Sequence, residues 1–214
     1  MRRLFDPDSP IGRFFTQLAD LAVMSILWTV CSIPVITMGA ASAALCRCAM
    51  NMARDRGGWG GRAFFRYFRE NFRSATRLWL VLLPAFLVLG ADLLIAFNME
   101  NSPALWRIPA ILGMVLWLLT ALWAFPLTAQ FENTLGRTLK NAFLLGISWL
   151  PRTLLMAGLW LLPAAALLLS PYVFYRTAIL WPVLLWGVTA YLCARVLGKP
   201  FAPYLEKDTE NSAD

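Results

Sequence analysis

Three ionisable side chains, Asp20, Arg47 and Asp92, stand inside otherwise apolar stretches, where such groups are the first candidates for proton or ion chemistry. Asp20 and Arg47 carry opposite charge and pair near one membrane surface if the first two apolar stretches fold back on each other. The other outcome is two separately solvated charges. Asp92 is a candidate ion site, or it reaches an interface beside Asn98 and Glu100. A proton relay needs a denser chain of polar groups than these three supply. The chain has no histidine, the commonest acid–base and metal-binding side chain. Its cysteines are Cys31, Cys46, Cys48 and Cys193; Cys46 and Cys48 are two positions apart, unlike the CxxC spacing of metal and redox sites. In apolar surroundings a cysteine behaves as a small hydrophobe. The residues therefore predict no catalytic centre, no metal and no cofactor.

The elements that hold these groups are apolar blocks of membrane-spanning length. Of the 214 residues, 59% are hydrophobic, against roughly 45–50% in a soluble domain. Spans are expected over about 18–33, 35–53, 78–97, 108–128, 153–169 and 178–197, each a helix, because hydrocarbon leaves backbone groups no partner but each other. The prediction is an all-α polytopic bundle in a single domain, residues 1–205, with a flexible polar tail over 206–214. No secretory signal is evident near the N-terminus. The second span is short, and it either crosses fully or re-enters at Pro34. With six spans, all of the 19 Lys and Arg residues except Arg107 and Arg176 fall on one side. With five, Arg2, Arg3 and Arg13 move across. The positive-inside rule favours six spans and both termini in the cytoplasm. Trp106 and Trp181 flank the outer boundaries, and Trp79 and Trp149 the inner ones.

Pro34, Thr37, Gly39 and Ala43 form the most distinctive element. Pro34 favours a turn, Thr37 is placed to bond a freed carbonyl, and Gly39 with Ala43 permits close helix approach. The alternatives are tight packing of a short helix, or lining of a pore.

Two amphipathic helices are expected on the basic side. In the first, over residues 62–77, Arg62, Arg66, Arg69, Arg73 and Arg77 fall within about 80° of arc, and Phe64, Phe65, Phe68, Phe72 and Ala75 within about 100° on the other side. Phe65, Phe68, Asn71 and Phe72, with Arg62, Arg66, Arg69 and Arg73, are candidate contacts either to the lipid surface or to a protein partner. A nucleic-acid partner is not expected, because the net charge of +7 follows from membrane orientation. The second helix, over 130–152, is expected to end at Pro151. Glu132 is followed eighteen and nineteen positions on by Leu150 and Pro151, a spacing similar to the cytoplasmic loop of ABC-type permeases. Thr138 stands where that loop has glycine, and Asn133–Thr134 where it has an alanine pair. Glu132, Asn141, Leu150 and Pro151 are the candidates for a second docking loop. Leu82-Leu83-Pro84-Ala85 recurs as Leu161-Leu162-Pro163-Ala164, a faint parallel repeat of the kind transporters use.

The stretch from Cys31 to Ala40, with Pro34, Thr37 and Gly39, followed by Ala43-Ala44-Leu45, resembles the signature of the YesL-like integral membrane proteins. Phe64-Phe65, Phe68, Asn71-Phe72, Asn141-Ala142, Leu150-Pro151 and the N-terminal Phe5 and Ser9-Pro10 are similar too, so the resemblance covers nearly the whole chain. Met38 stands where an aliphatic residue is common. The resemblance implies a bacterial membrane protein of unknown biochemical function, encoded beside carbohydrate ABC importers and sensor-kinase systems. It brings no catalytic or binding residues with it. Its implied role is a non-enzymatic accessory subunit of a carbohydrate ABC-type uptake system, with permease subunits or a sensor kinase as partners. The alternative is an autonomous small-molecule or ion transporter or channel. Either is compatible with a homo-oligomer.

Overall fold

The computed structural model describes residues 10–55, 57, 59–98, 104–131 and 133–210. Phe5, Ser9, the first arginines and Glu132 lie outside the described residues. Among the described residues every regular element is helical. Helix α1 (Pro10–Cys31) turns at Ser32–Pro34 into a 3₁₀ turn (Val35–Thr37) and α2 (Met38–Ala53). Then come α3 (Gly61–Asn98), α4 (Ala104–Gln130), α5 (Leu135–Ser148), α6 (Leu150–Leu169), the short α7 (Pro171–Thr177), a π-helical turn (Trp181–Leu185) and α8 (Trp186–Glu210). Helix α8 thus continues through part of the segment expected to form a polar tail. Six stretches are long and apolar enough to cross a membrane: Phe14–Cys31, Val35–Ala53, Gly61–Asn98, Arg107–Gln130, Leu150–Leu169 and Trp181–Gly198. The expected all-α bundle is present.

The short second helix is the centre of the molecule. Ala40, Ala41, Ala43, Ala44, Cys48 and Ala49 are completely buried, and α2 packs against α1, α3, α4 and α8. The run of small side chains from Gly39 to Ala44, with Cys48 and Ala49, lets four neighbours approach one short helix, as small residues do in membrane bundles. The Pro34 turn forms as its residues dictate: Thr37 Oγ1 lies 2.8 Å from the Pro34 carbonyl oxygen and 2.6 Å from that of Cys31. A Cβ on Gly39 would lie 2.5 Å from Trp79 Cβ and 2.6 Å from the Ala75 carbonyl oxygen, so only glycine fits there.

The register of α2 against α3 is unexpected. Near one end of α2, Asn51 Nδ2 donates to the Tyr67 hydroxyl at 2.9 Å. At its other end, Trp79 Nε1 donates to the Val35 carbonyl at 2.7 Å. The whole of α2 therefore lies along the arginine-bearing half of α3, and the Pro34 turn sits level with Trp79.

Helix α3 has 38 residues, about 57 Å at 1.5 Å per residue, well beyond the ~30 Å hydrocarbon core. The first amphipathic helix and the third span are one continuous rod. Pro84 sits inside it, and Trp117 Nε1 donates to the nearby Leu82 carbonyl at 2.9 Å, tying α4 to this turn.

The second amphipathic segment departs from expectation. It is not one helix ended by Pro151. Helix α5 stops at Ser148, the chain breaks at Trp149 (φ −113°, ψ 40°), and Pro151 lies in the first turn of α6. Proline is tolerated there, because first-turn N–H groups have no partner within the helix. The two Leu-Leu-Pro-Ala copies thus differ: α3 runs straight through from its basic half, whereas α5 and α6 are separate helices.

The first and last spans are joined by the hydroxyls of Ser25 and Thr29, the latter 3.4 Å from the Pro182 carbonyl oxygen. Ser25 Oγ donates to the Leu184 carbonyl at 3.0 Å and accepts from the Gly187 N–H at 2.6 Å. These groups lie within and just after the π-helical turn that contains Pro182, where a missing N–H loosens the ladder.

Candidate functional site

The arginine-bearing half of α3 and its neighbours hold a connected polar cluster. Tyr67 is its hub. Its hydroxyl accepts from Asn51 Nδ2 and from Arg66 Nη2 at 3.0 Å. The Arg47 and Arg66 guanidinium carbons each lie 4.9 Å from its ring centroid, within the range of cation–π attraction. Asn71 Nδ2 donates to the Tyr67 carbonyl at 3.0 Å. Both Tyr67 and Asn71 are buried.

Arg47 does not pair with Asp20. Its Nη1 donates to the Ala129 carbonyl at 2.7 Å, at the C-terminal end of α4 where unpaired carbonyls and the helix dipole attract a cation. Asp20 Oδ2 accepts from Trp59 Nε1 at 3.2 Å, fastening α1 to the loop before α3. That loop turns sharply through positive φ at Asp55, Gly57 and Gly60. Asp92 is exposed on the far half of α3.

The buried stripe of α3 differs from the aromatic face read from the sequence. Ala63, Phe64, Tyr67, Asn71, Ala75 and Leu78 are buried, a stripe rotated by about 90° from the centre of the phenylalanine arc. Phe64 is enclosed and Phe68 half-buried, while Phe65 and Phe72 are exposed, 51% and 37% respectively. The rotation has a cause: the polar Tyr67 and Asn71 satisfy each other and α2, so their burial costs little. The exposed face that remains presents Arg62, Arg66, Arg69 and Arg73 beside Phe65 and Phe72. Arg66 and Glu70 approach to 3.9 Å as an exposed i, i+4 pair.

The candidates of the second loop are not brought together. Asn141 is exposed near the middle of α5, whereas Leu150 and Pro151 are exposed at the start of α6, beyond the break at Trp149. Helix α5 instead packs deeply on α4. A Cβ on Gly146 would lie 3.1 Å from the Leu119 carbonyl. The wholly buried Trp123 donates from Nε1 to Thr153 Oγ1 at 2.9 Å, and that hydroxyl reaches the Gly146 carbonyl at 2.9 Å.

Two cavities border these features. One, of about 530 Å³, lies between α3 and the start of α5 and is lined by Glu70, Arg73, Ser74, Arg77, Thr134 and Thr138 among others. Ser74 did not stand out in the sequence, and the relation of Arg77 to Thr134 and Thr138 becomes meaningful only once α3 and α5 meet. The other, of about 330 Å³, lies inside the bundle and is walled by Trp28, Trp79, Trp117, Trp160, Cys46 and Cys193 with further apolar residues. Ser42 is its polar exception, and Ser42 already accepts from Trp28 Nε1 at 3.2 Å.

Residues 21–93 match a family model described as a protein of unknown function, DUF624. The matched segment runs from α1 through α2 and most of α3, and so contains the Tyr67 hub and the Pro34 turn. The chain is also 28% identical over 152 residues, 69% of this chain and 72% of the relative, to the uncharacterized protein YesL of Bacillus subtilis (strain 168). No solved structure matches.

Proposed function

We propose that this chain, which is similar to YesL of Bacillus subtilis and matches the DUF624 family model over residues 21–93, is a non-enzymatic accessory subunit of a carbohydrate ABC-type uptake system, docking on the permease subunits through the exposed arginine face of α3. Its environment is the bacterial cytoplasmic membrane, with the arginine-rich end and both termini in the cytoplasm, as the distribution of Lys and Arg favours. The observation that carries the reading is the uncovered row of Arg62, Arg66 and Arg69 beside exposed Phe65 and Phe72. Arginine and aromatic side chains are the residues that anchor protein interfaces. The row is held stiffly, because the opposite face of the same turns is pinned to α2 through Tyr67 and Asn51. The partner surface must be acidic. The sugar-uptake context comes from the family resemblance alone.

The test is mild-detergent purification of chromosomally tagged protein, with partners identified by mass spectrometry. Stoichiometric permease subunits are expected with the native chain and lost with Arg62→Glu/Arg66→Glu/Arg69→Glu. A sensor kinase in their place would redirect the assignment, and recovery of the chain alone or only with itself would end it.

A second reading, an autonomous transporter or channel, is favoured by the cavity inside the bundle. The cavity is lined by no Asp, Glu, Lys or Arg, which suits an apolar ligand better than an ion or a sugar. Flux in proteoliposomes above that of empty vesicles would support this reading.

A further inference from the structure

We infer that the cleft between α3 and the start of α5 is a binding site for the phosphate group of an anionic lipid from the membrane leaflet on the arginine-rich side. This inference does not rest on the docking proposal. The cleft, about 530 Å³, is walled by Arg73, Ser74 and Arg77 of α3, Thr128 at the end of α4, and Thr134 and Thr138 of α5. Arg73 and Arg77 are one helical turn apart and point their charge to the same side. Arg77 Nε donates to the Arg73 carbonyl at 3.1 Å, which steadies that side chain and leaves its terminal nitrogens for another acceptor. Among the described residues the one ion pair is Arg66–Glu70. Glu70 also lines the cleft, and this pairing engages its carboxylate with Arg66 rather than with Arg73 or Arg77.

The first turn of α5 adds donors. Thr134 has extended backbone at the N-cap (φ −66°, ψ 149°), but its hydroxyl makes no capping bond. Thr134, Leu135 and Thr138 all line the cleft, so this uncapped helix start faces it. Uncapped N–H groups and the positive end of the helix dipole favour an anion. The arginine pair and the Thr134 hydroxyl supply the remaining contacts, since the hydroxyls of Ser74, Thr128 and Thr138 already donate to the Asn71, Ala124 and Thr134 carbonyls; guanidinium forks match phosphate oxygens in pairs.

Depth selects the source of the phosphate. Arg77 is followed at once by Leu78, Trp79 and Leu80, where α3 becomes apolar. Leu78, Phe131 and Leu135 also line the cleft, and Leu80 and Val81 are exposed just beyond it. A headgroup phosphate held at Arg73 and Arg77 therefore has apolar surface beside it for its acyl chains, which a free phosphate does not need.

The full-length protein in neutral detergent is titrated with phosphatidylglycerol, phosphatidylcholine or inorganic phosphate, and bound ligand is counted by native mass spectrometry. Phosphatidylglycerol is expected to be retained preferentially. Arg73→Gln/Arg77→Gln should weaken it roughly 25-fold, at about fivefold for each positive charge near an anionic headgroup. Arg62→Gln, eleven residues and about 16 Å along the helix from Arg73, should leave it unchanged within about twofold, because a charge beyond the Debye length is largely screened. If the double variant is not monodisperse, Arg77→Gln alone is expected to lose about fivefold. Equal phosphatidylglycerol binding by wild type and the Arg73/Arg77 variants overturns the site. Inorganic phosphate binding as tightly as phosphatidylglycerol overturns the lipid assignment and makes a soluble phosphorylated ligand the occupant.

Discussion

The indole N–H of Trp79 donates to the carbonyl oxygen of Val35 at 2.7 Å. This bond fixes the Pro34 turn at the point where α3 passes from its arginine-bearing half to its apolar half. A turn at the far surface of the membrane would instead lie level with the other end of α3, near Asn98. Ile33, Val35 and Ile36 around the turn are exposed, at 75%, 55% and 60%. They need an apolar environment at that depth, which an inserted hairpin tip would have.

The first prediction concerns that depth. In a variant whose native cysteines are replaced by alanine, Ser32→Cys is expected to resist a membrane-impermeant maleimide added to intact cells. Ser102→Cys, in the connection between α3 and α4, should label readily under the same conditions. Equal labelling of the two would show that the α1–α2 hairpin crosses the whole bilayer.

Gly39→Ala should destabilise the protein strongly for one methyl group. Its Cβ would press on the Ala75 carbonyl and on Trp79 Cβ, and overpacking of this kind costs about 1–3 kcal/mol or more. Gly158→Ala is the control, because a Cβ there meets nothing within 4 Å, and alanine is the better helix former by up to ~1 kcal/mol. Thermal unfolding in detergent should lower the melting temperature in the first case and hold or raise it in the second. Similar melting temperatures for both would contradict the Gly39 contact.

Tyr67→Phe removes a hydroxyl that accepts from both Asn51 and Arg66. The loss is expected to be about 1–3 kcal/mol, the penalty for leaving a partly buried donor unpaired. Tyr67→Leu should lose more, since the ring that faces Arg47 and Arg66 goes with it. Denaturant unfolding that ranks the two variants in the opposite order would remove Tyr67 from the centre of the cluster.

Trp123 and Thr153 should behave as a coupled pair. Thr153→Val strands the Trp123 indole N–H and frees the Gly146 carbonyl, while Trp123→Phe leaves the Thr153 hydroxyl its backbone acceptors. A double-mutant cycle is expected to give a coupling of about 0.5–3 kcal/mol, as for other groups in one hydrogen-bond network. Additive effects would mean that the α4–α5–α6 junction does not depend on this bond.

The sequence made the apolar spans and the arginine row of α3 readable, because both depend on local composition and helical period. The Thr37 bonds at the Pro34 turn were readable for the same reason. Pairing was not. Asp20 and Arg47 have complementary charge, yet Trp59 and the end of α4 claim them, and neither partner is implied by charge alone. Tyr67 and Asn71 look like surface residues until Asn51 and the Tyr67 carbonyl are placed beside them. The close approach of Gly146 to Leu119, just before the break at Trp149, is a contact between helices that no window along the chain contains.

Ser25 carries a consequence for biosynthesis. Its hydroxyl is wholly buried, and its partners lie 159 and 162 residues further along the chain. During synthesis the first helix is made long before the groups that will complete it. Until residue 184 has been made, a hydroxyl destined for the interior has neither of its final partners, and until residue 187 it lacks one. The last span to enter the bilayer is thus the one that closes the bundle, and a truncated or stalled chain keeps an open seam along α1.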